Sequence, residues 1–364
     1  MDDFPFIDLK AQYETYKEEI DLAIREVIES TSFIGGKKLI EFERNLANYV
    51  GVKEAVGCSS GTSALLLALM ALGIKEDDEV IVPSFTFIAT AEMVSLLKAR
   101  PVFADINLFD YNIDINSIEC LVNDKTKAII AVSMFGQMPD LETLSKFCND
   151  KNIALIEDGA QSFGANQNGK KSCSIAQISC TSFFPSKPLG AYGDAGAVFS
   201  DDENIANLVR TYLNHGQIER YKHKLIGFNG RLDTIQAAIL NVKLKYLNKE
   251  IEKRCQIADF YNKNLKNVIL PQLKEGFTSV YAQYSIRVKN RDDVIRVLDS
   301  KGIPSAIHYP LGLHLQEAFL DYNTISLPNT ELLSKEILSL PMSAFLKQSH
   351  QEIVIETINN IARI

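Results

Sequence analysis

A lysine and an aspartate define the chemistry that this sequence could perform. Lys187 follows a Ser-Phe-Phe turn at residues 182–184, and Asp158 closes the apolar run that begins at Ile153. A lysine amine can form a Schiff base with an aldehyde, and a carboxylate can keep a pyridine nitrogen protonated. Together the two residues predict a site for pyridoxal 5'-phosphate (PLP), in which Lys187 and Asp158 are catalytic.

The neighbours of Lys187 distinguish a solvated side chain from a reactive one. Most lysines are solvated, but Phe184, Pro185 and Pro188 surround this one with apolar groups. Desolvation lowers the pKa of an amine and leaves more of it neutral for nucleophilic attack and proton transfer. The sequence therefore favours a reactive Lys187.

Small residues precede the apolar helix that is predicted from about Ala64. Ser60, Gly61 and Thr62 lie at this junction, where the backbone N–H groups of a helix start attract an anion. Taken alone, the segment favours an ordinary Ser/Thr helix cap. Ser182, in the turn before the reactive lysine, is a second candidate phosphate ligand and reverses that preference.

Two further residues are candidates for contact with the cofactor ring. Gln161 follows Asp158 by three positions, so its amide could hydrogen-bond the 3'-oxygen or pack against the ring; a solvated helix residue is the alternative. Phe87 lies in the segment 83–90, after another predicted strand, and could stack on the pyridine. Taken alone, that segment favours a core aromatic at Phe87.

The composition limits the partners of the chain. It has 364 residues and a net charge of −8 at pH 7, which argues against a nucleic-acid partner. Its six cysteines show neither a CxxC pair nor zinc-finger spacing, so we expect reduced thiols and no metal site. The start lacks an apolar leader, and the longest apolar stretch, residues 64–71, is too short to span a bilayer. These features predict a cytoplasmic protein that does not bind a membrane.

Short apolar runs alternate with helical patterns between about residues 50 and 245. This alternation predicts a mostly parallel α/β sheet. The runs are almost continuously apolar, as in strands that are covered on both faces. The predicted strands are 79–82, 101–104, 128–134, 153–157, 178–183 and 196–200.

Two predicted helices indicate how the chain divides into domains. Helical spacing indicates an N-terminal helix at residues 16–30 and a long helix at 235–254 that links two domains. The run at 280–288 is strand-like. We expect a large PLP-binding domain over residues 1–245, which includes the N-terminal helix, and a smaller α+β domain over 246–364.

These motifs together resemble the DegT-type sugar aminotransferases, which have the type I fold of aspartate aminotransferase. The resemblance runs from about residue 6 to residue 342. Its markers are Ser60-Gly61-Thr62, Asp78-Glu79-Val80, Ile156-Glu157-Asp158, Gln161, Ser182-Phe183, Lys187, Asn229 and Arg231. It implies a mostly parallel seven-stranded sheet in the large domain, and PLP as the cofactor.

The resemblance also implies roles across a subunit interface. Active sites in the family lie between the two subunits of a homodimer. By this resemblance, Asn229 reaches the cofactor phosphate of the neighbouring subunit and Arg231 approaches its substrate. Some relatives have histidine where this chain has Lys187 and act as dehydratases, so the lysine argues for transamination.

A narrower resemblance concerns the substrate. Residues 215–223, residues 279–284 and the run His308-Tyr309-Pro310 resemble the branch that aminates C3 of 3-keto nucleotide sugars. The branch implies L-glutamate as amino donor and a UDP-2-acetamido-3-keto-glucuronate or UDP-3-keto-GlcNAc type of acceptor, for surface polysaccharides such as lipopolysaccharide O-antigen. His308 and Tyr309 are candidates for sugar contact, and a buried structural histidine is the alternative for His308.

Three other functions stay open from the sequence. One is an aminotransferase for dTDP-linked 3-keto- or 4-keto-6-deoxyhexoses, and another is a dehydratase on the same scaffold, which Lys187 opposes. The last is a non-enzymatic regulatory protein. The balance of 38 Lys and Arg against 46 Asp and Glu disfavours that regulator, because a DNA-binding surface would be basic.

Overall fold

A seven-stranded sheet organises the larger part of the molecule. The computed structural model describes residues 4–322 and 325–361. The strands are β1 (Glu54–Cys58), β2 (Glu79–Pro83), β3 (Arg100–Ala104), β4 (Thr126–Val132), β5 (Ala154–Asp158), β6 (Ile178–Ser182) and β7 (Gly196–Ser200). Their order is β1-β7-β6-β5-β4-β2-β3, and β7 runs antiparallel to both neighbours while the other pairs are parallel. The predicted α/β class with a mostly parallel sheet is confirmed.

Helices on both faces bury the strands. In this part of the chain they are α1 (Leu9–Ser30), α2 (Lys37–Val50), α3 (Gly61–Ala71), α4 (Ala89–Leu96), α5 (Ile115–Glu119), α6 (Leu141–Lys151), α7 (Glu203–Tyr212) and α8 (Thr234–Leu244). Val80 and Val82 pack in the core that contains α3, α4 and α7, whereas Ile81 packs in the core that contains α6. Both faces of a strand therefore need apolar side chains, which explains the almost continuous apolar runs.

The helix predicted at residues 235–254 is two helices. α8 ends at Leu244 and α9 (Leu247–Asn264) begins three residues later, so the single-helix prediction was wrong at Lys245 and Tyr246. Tyr246 stacks on Tyr16 of α1 with ring centroids 4.2 Å apart, and its hydroxyl donates to Glu19. These contacts with a distant helix stabilise the break.

A second, smaller core follows α9. It contains the antiparallel strands β8 (Tyr284–Arg287) and β9 (Ile337–Leu340), packed against α9 and α10 (Arg291–Ser300). The next helix, α11 (Pro328–Glu336), instead buries Leu333 in a cluster with Phe85 and Val132 of the larger part, whereas α12 (Gln348–Ile361) packs in the second core. Only residues 284–287, in the C-terminal half of the strand-like run 280–288, form a strand. Phe4 stacks on His350 at 4.1 Å between ring centroids, so the start of the chain joins this core. We propose the domain division near residue 245 because the second core begins on α9.

Within residues 4–322 and 325–361, no helix is long and apolar enough to cross a membrane.

Candidate active site

Asp158 ends β5 at the edge of the sheet where the parallel strands β2, β4 and β6 also end. In open α/β sheets this edge faces the ligand crevice. The Asp158 side chain is buried, and its two oxygens accept from the Ala160 N–H at 3.1 Å and from the Thr90 hydroxyl at 3.2 Å. Burial raises the pKa of Asp158, whereas the Ala160 N–H, the charge of Lys187 and the Thr90 hydroxyl lower it.

Lys187 lies in the loop that follows β6. The residue is partly exposed, and its backbone N–H donates to the Phe184 carbonyl at 2.8 Å. Desolvation of the amine lowers the pKa of Lys187, and the negative charge of Asp158 opposes that shift. The structure therefore brings together the two residues that the sequence predicted to be catalytic, since each perturbs the pKa of the other.

The start of α3 combines a helix cap with free backbone donors. Ser60 is the cap: its Oγ accepts from the Ser63 N–H at 3.0 Å. The helix-cap alternative is thus correct for this side chain. Gly61 and Thr62 begin the helix, and N–H groups in a first helical turn have no acceptor within the helix.

Ser182 packs directly against Gly61. A Cβ atom at Gly61 would stand 2.6 Å from the Cβ of Ser182 and 3.1 Å from its Oγ. Because glycine lacks a Cβ, the first turn of α3 and the Ser182 hydroxyl can approach this closely. Gly61, Thr62 and Ser182 therefore meet at one place, as predicted for phosphate ligands. We call this group the cradle.

Phe87, Gln161 and Tyr309 form a cluster near Asp158. Phe87 is 55% exposed, so it is not a core aromatic; the neighbouring Phe85 is buried instead. The Phe87 and Tyr309 ring centroids are 6.3 Å apart, and the Gln161 amide donates to the Tyr309 hydroxyl at 3.3 Å. Burial and then the charge of Asp158 raise the pKa of Tyr309, which locates this hydroxyl close to the carboxylate.

Gln161 also has a partner on its other side. Its amide oxygen accepts from the Phe135 N–H at 2.7 Å. Both ends of this side chain are therefore held by protein groups, whereas a solvated residue would be exposed; Gln161 is buried.

His308 lies between the second core and the lysine. Its Nδ1 is 2.9 Å from the Ser339 Oγ, and its ring centroid is 6.2 Å from that of Phe6. Burial, and then the positive charge of Lys187, lower the pKa of His308. The ring is therefore neutral at neutral pH and close enough to Lys187 for their charges to interact.

Asn229 and Arg231 lie beside the junction of β1 and α3. The Ser59 N–H donates to the Gly230 carbonyl at 2.8 Å, and Arg231 forms an isolated bridge with Cys58. The Arg231 guanidinium donates to Asn214 at 2.8 Å. Residues 214–230, which we call the arm, include a short hairpin of Gln217–Glu219 with Lys222–His223.

Comparison with known proteins identifies the family. Residues 14–359 match the model of the DegT/DnrJ/EryC1/StrS aminotransferase family. The chain belongs to this family. It is therefore an aminotransferase that depends on PLP, as the sequence predicted.

Two relatives and one solved structure illustrate the similarity. The UDP-2-acetamido-2-deoxy-3-oxo-D-glucuronate aminotransferase of Pseudomonas aeruginosa is 43% identical over 98% of this chain and 99% of its own. The UDP-N-acetyl-3-dehydro-alpha-D-glucosamine 3-aminotransferase of Acidithiobacillus ferrooxidans is 39% identical over 94% of each chain. The crystal structure of NtdA from Bacillus subtilis with bound pyridoxamine phosphate has a TM-score of 0.93 and 28% identity, and covers 100% of this chain and 86% of its own.

The residues of this DegT-family chain fit PLP. The cradle offers backbone and hydroxyl donors to a phosphate, and a Cβ at Gly61 would collide with Ser182, one of those donors. A buried carboxylate, Asp158, and an amine of lowered pKa, Lys187, lie at the same sheet edge. An anion, a protonated ring nitrogen and an aldehyde thus each meet a residue of matching chemistry.

Sequence reasoning missed a hydrogen-bond donor to Asp158 and a second buried carboxylate beside it. Thr90 donates to one oxygen of Asp158, and it lies in the segment 83–90, in which the sequence pattern pointed only to an aromatic side chain. Glu157 is fully buried and accepts from the hydroxyls of Ser133 and Ser172 and from the Cys173 N–H at 2.7–2.9 Å. Burial raises the pKa of Glu157 to about 6. A polar residue inside an apolar strand run was the available signal.

Among the residues that the structure describes, no group of three or more His, Cys, Asp or Glu side chains could hold a metal ion.

Proposed function

We propose that this enzyme transfers the amino group of L-glutamate to C3 of a 3-keto UDP-sugar, of the UDP-2-acetamido-3-keto-glucuronate or UDP-3-keto-GlcNAc type. Both relatives are named as aminotransferases of a 3-oxo UDP-sugar, and both match nearly the whole chain. The observation that carries the chemistry is the pairing of Lys187 with Asp158 beside the cradle.

Bound PLP supplies a ring that withdraws electrons from the carbon attached to the transferred nitrogen. Lys187 supplies the amine that bonds the cofactor and, once released, moves the proton. Because desolvation lowers the pKa of Lys187, its Nζ is neutral over more of the pH range and can accept a proton from the donor carbon. The same Nζ returns a proton at the sugar carbon.

Asp158 and the cradle orient the cofactor from opposite ends. Asp158 would hold a proton on the ring nitrogen, and the hydrogen bonds from Thr90 and Ala160 orient the carboxylate and favour its ionised form. Gly61, Thr62 and Ser182 bind the phosphate, with Ser60 fixing the first turn of α3. A mutation in the cradle should therefore impair phosphate binding without affecting ring protonation, and a mutation of Asp158 should do the reverse.

Phe87 and Gln161 complete the cofactor site. The exposed Phe87 ring is free to stack on the pyridine. Gln161 is held by Phe135 and Tyr309, so it acts as a fixed wall of the site beside Asp158. We expect its role to be packing and orientation of Tyr309 more than a hydrogen bond to the 3'-oxygen.

His308, Tyr309 and Arg231 are our candidates for substrate contact. His308 and Tyr309 both lie near the catalytic pair, since Lys187 lowers the pKa of one and Asp158 raises the pKa of the other. Arg231 is fixed by Asn214 at the β1–α3 junction, and a guanidinium there suits an anionic group of a uronate or a diphosphate.

We further propose a homodimer with shared active sites. The arm exposes the apolar side chains of Ile218, Tyr221 and Ile226, which are 57%, 78% and 91% exposed. Apolar groups clustered on one projecting segment favour burial against a second copy. In such a dimer Asn229, at the end of the arm, would reach the cradle of the partner subunit.

The cysteines bear on where in the cell the enzyme works. Each of the six cysteines carries a free thiol, which suits a reducing compartment. We propose that the enzyme works in the cytoplasm and that its amino sugar enters surface polysaccharides such as lipopolysaccharide O-antigen.

The test is incubation of the purified enzyme with L-glutamate and a panel of 3-keto and 4-keto nucleotide sugars linked to UDP or dTDP. We expect a new amino sugar from the 3-keto UDP substrates, identified by mass and by the NMR position of the nitrogen. Amination of only the dTDP-linked 6-deoxyhexoses, or amination at C4, would contradict the proposal and favour the alternative acceptor.

A further inference from the structure

The loop that carries Lys187 is closed at its base. The Phe183 N–H donates to the Ala195 carbonyl and the Ala191 N–H donates to the Phe183 carbonyl, each at 2.8 Å. Inside this ring of bonds Gly190 presses against the Pro185 carbonyl, in a space that admits no Cβ. Residues 183–195 therefore form one compact loop, and a displacement of the Gly190 backbone would also displace Lys187.

Two side chains of helix α8 form hydrogen bonds with the backbone of this loop. The Lys243 ammonium donates to the Gly190 carbonyl. Gln236, two turns earlier on the helix, accepts from the Tyr192 N–H at 2.8 Å and donates to the Tyr192 carbonyl at 3.3 Å. Two side chains on one rigid helix thus fix the backbone on the C-terminal side of Lys187.

The burial of Lys243 needs an explanation. The residue is 2% exposed, and a buried ammonium costs several kcal/mol unless it is paired. Desolvation lowers the pKa of Lys243 to about 8, with the charge of Glu250 opposing that shift and Arg254 adding to it. The Glu250 carboxylate also accepts from Gln12 at 2.8 and 3.0 Å. A methionine would fill the same space without this cost, so the charge serves something other than packing.

We propose that Lys243 is a positioning residue for Lys187: its bond to the Gly190 carbonyl, together with the Gln236 clamp on Tyr192, aims the Lys187 amine at the cofactor aldehyde. The inference rests on the proposed covalent role of Lys187. Both anchors bond backbone groups of the loop, and neither belongs to the cradle or to the pair of Lys187 and Asp158. We therefore expect their effect at the covalent step, in which the amine and the aldehyde condense to a C=N bond and the aldehyde oxygen leaves as water.

Two forms of the cofactor separate positioning from general support of the pocket. PLP bonds to Lys187, whereas pyridoxamine 5'-phosphate has an amine in place of the aldehyde and binds without that bond. For Lys243→Met we expect adduct formation with PLP about tenfold slower or more, because small misplacements of a reacting group cost this much. We expect the affinity for pyridoxamine phosphate to stay within about twofold of the unmutated enzyme.

The experiment uses apo enzyme prepared by removing the cofactor. Formation of the visible band is followed after PLP is added, the adduct is trapped with borohydride at residue 187, and pyridoxamine phosphate affinity is measured by calorimetry. Lys245→Met is the matched control, since Lys245 lies directly after α8 but is exposed and pairs with Glu19 at the surface. It should behave as the unmutated enzyme does.

Each outcome bears on one proposal. If the unmutated enzyme gives no adduct at residue 187, the proposed covalent role of Lys187 is wrong. If the unmutated enzyme gives the adduct and Lys243→Met forms it at the same rate, the proposed positioning role of Lys243 is wrong. Equal losses for PLP and pyridoxamine phosphate would also overturn it, because they indicate a structural defect. Should Lys243→Met fail to fold, Gln236→Met removes the other anchor from a partly exposed position, and the same split between the two cofactors decides.

Discussion

At the scale of single residues, Asp158 shows how neighbouring groups oppose the effect of burial on a carboxylate. Burial is the larger effect and raises the pKa of Asp158, toward the neutral acid that could not hold a pyridinium. The Ala160 N–H, the charge of Lys187 and the Thr90 hydroxyl each oppose that rise. Thr90 is therefore part of the mechanism although it need not touch the substrate.

Replacing Thr90 with valine tests this account. Valine keeps the shape but removes the donor, so Asp158 loses a hydrogen bond of about 1.5 kcal/mol and its pKa rises. We expect roughly tenfold weaker PLP binding, measured by titration of the visible band, with a nearly unchanged melting temperature. Thr86→Val is the control, because the Thr86 hydroxyl contacts Thr90 at 3.3 Å and not the carboxylate. Equal affinities in all three proteins would remove Thr90 from the site.

The lowered pKa of Lys187 predicts a pH dependence. Only the neutral amine attacks the aldehyde, and desolvation makes the Lys187 amine neutral at a lower pH than an ordinary lysine. The rate of adduct formation by apo enzyme should therefore rise with pH through a midpoint below 10.5, the ordinary value. A midpoint equal to that of a lysine model compound would contradict the assignment.

Asp158→Asn extends that measurement. The charge of Asp158 raises the pKa of Lys187, so its removal should shift the midpoint to still lower pH. A shift to higher pH, or none, would mean that the two side chains do not interact as the structure indicates.

Residue types pointed to Lys187 and Asp158, which the structure brings together, but not to the residues that hold them in place. Lys187 and Asp158 could be predicted because the chemistry of a side chain and the end of a strand are both local features of the sequence. Thr90 lies 68 positions from Asp158 and Lys243 lies 53 positions from Gly190. Contacts of that separation depend on how helices pack on the sheet, which the local pattern does not specify.

At the scale of elements, the first turn of α3 depends on two neighbouring residues with different tasks. Ser60 stabilises the helix through its cap, and Gly61 provides room for Ser182 to approach the first turn. The two tasks can be separated by mutation, since losing the cap affects stability and filling the space affects binding.

We expect Gly61→Ala to weaken PLP binding by about tenfold, because the added Cβ displaces Ser182 at a cost of about 1–3 kcal/mol. Reaction with pyridoxal, which has no phosphate, should change much less. Ser60→Ala should instead lower the stability by about 1 kcal/mol through loss of the cap. The readouts are adduct formation with each aldehyde and denaturant unfolding; equal losses for PLP and pyridoxal in Gly61→Ala would argue against the cradle.

The elements themselves were predictable where the hydrophobic pattern was unbroken. β2 to β7 were found within two residues of their ends because both faces are buried. β1 was missed, since Gly57 lies in the middle of a short strand that begins with a glutamate. The break between α8 and α9 depends on Tyr246 packing on α1, a tertiary contact that propensity does not report.

At the scale of the whole molecule, the arm exposes the apolar side chains of Ile218, Tyr221 and Ile226, and the exposed Asn229 lies near its C-terminal end. A single copy leaves this surface in water, and a dimer would bury it against a second copy. A shared site has a consequence that can be measured. If the residues of one active site come from two chains, two inactive variants with different mutations can together form one intact site.

Mixing two inactive variants tests whether the site is shared. In a heterodimer of Lys187→Ala and Asn229→Ala, an Asn229 that acts across the interface leaves one site with both residues intact. Equal amounts with free exchange give half heterodimers with one intact site each, or about a quarter of the unmutated activity. The control mixture of Lys187→Ala with Asp158→Asn should stay inactive, because both residues belong to the same chain's site. No recovery in the first mixture, with exchange verified by mass spectrometry of intact dimers, would assign Asn229 to its own subunit and reject the shared site.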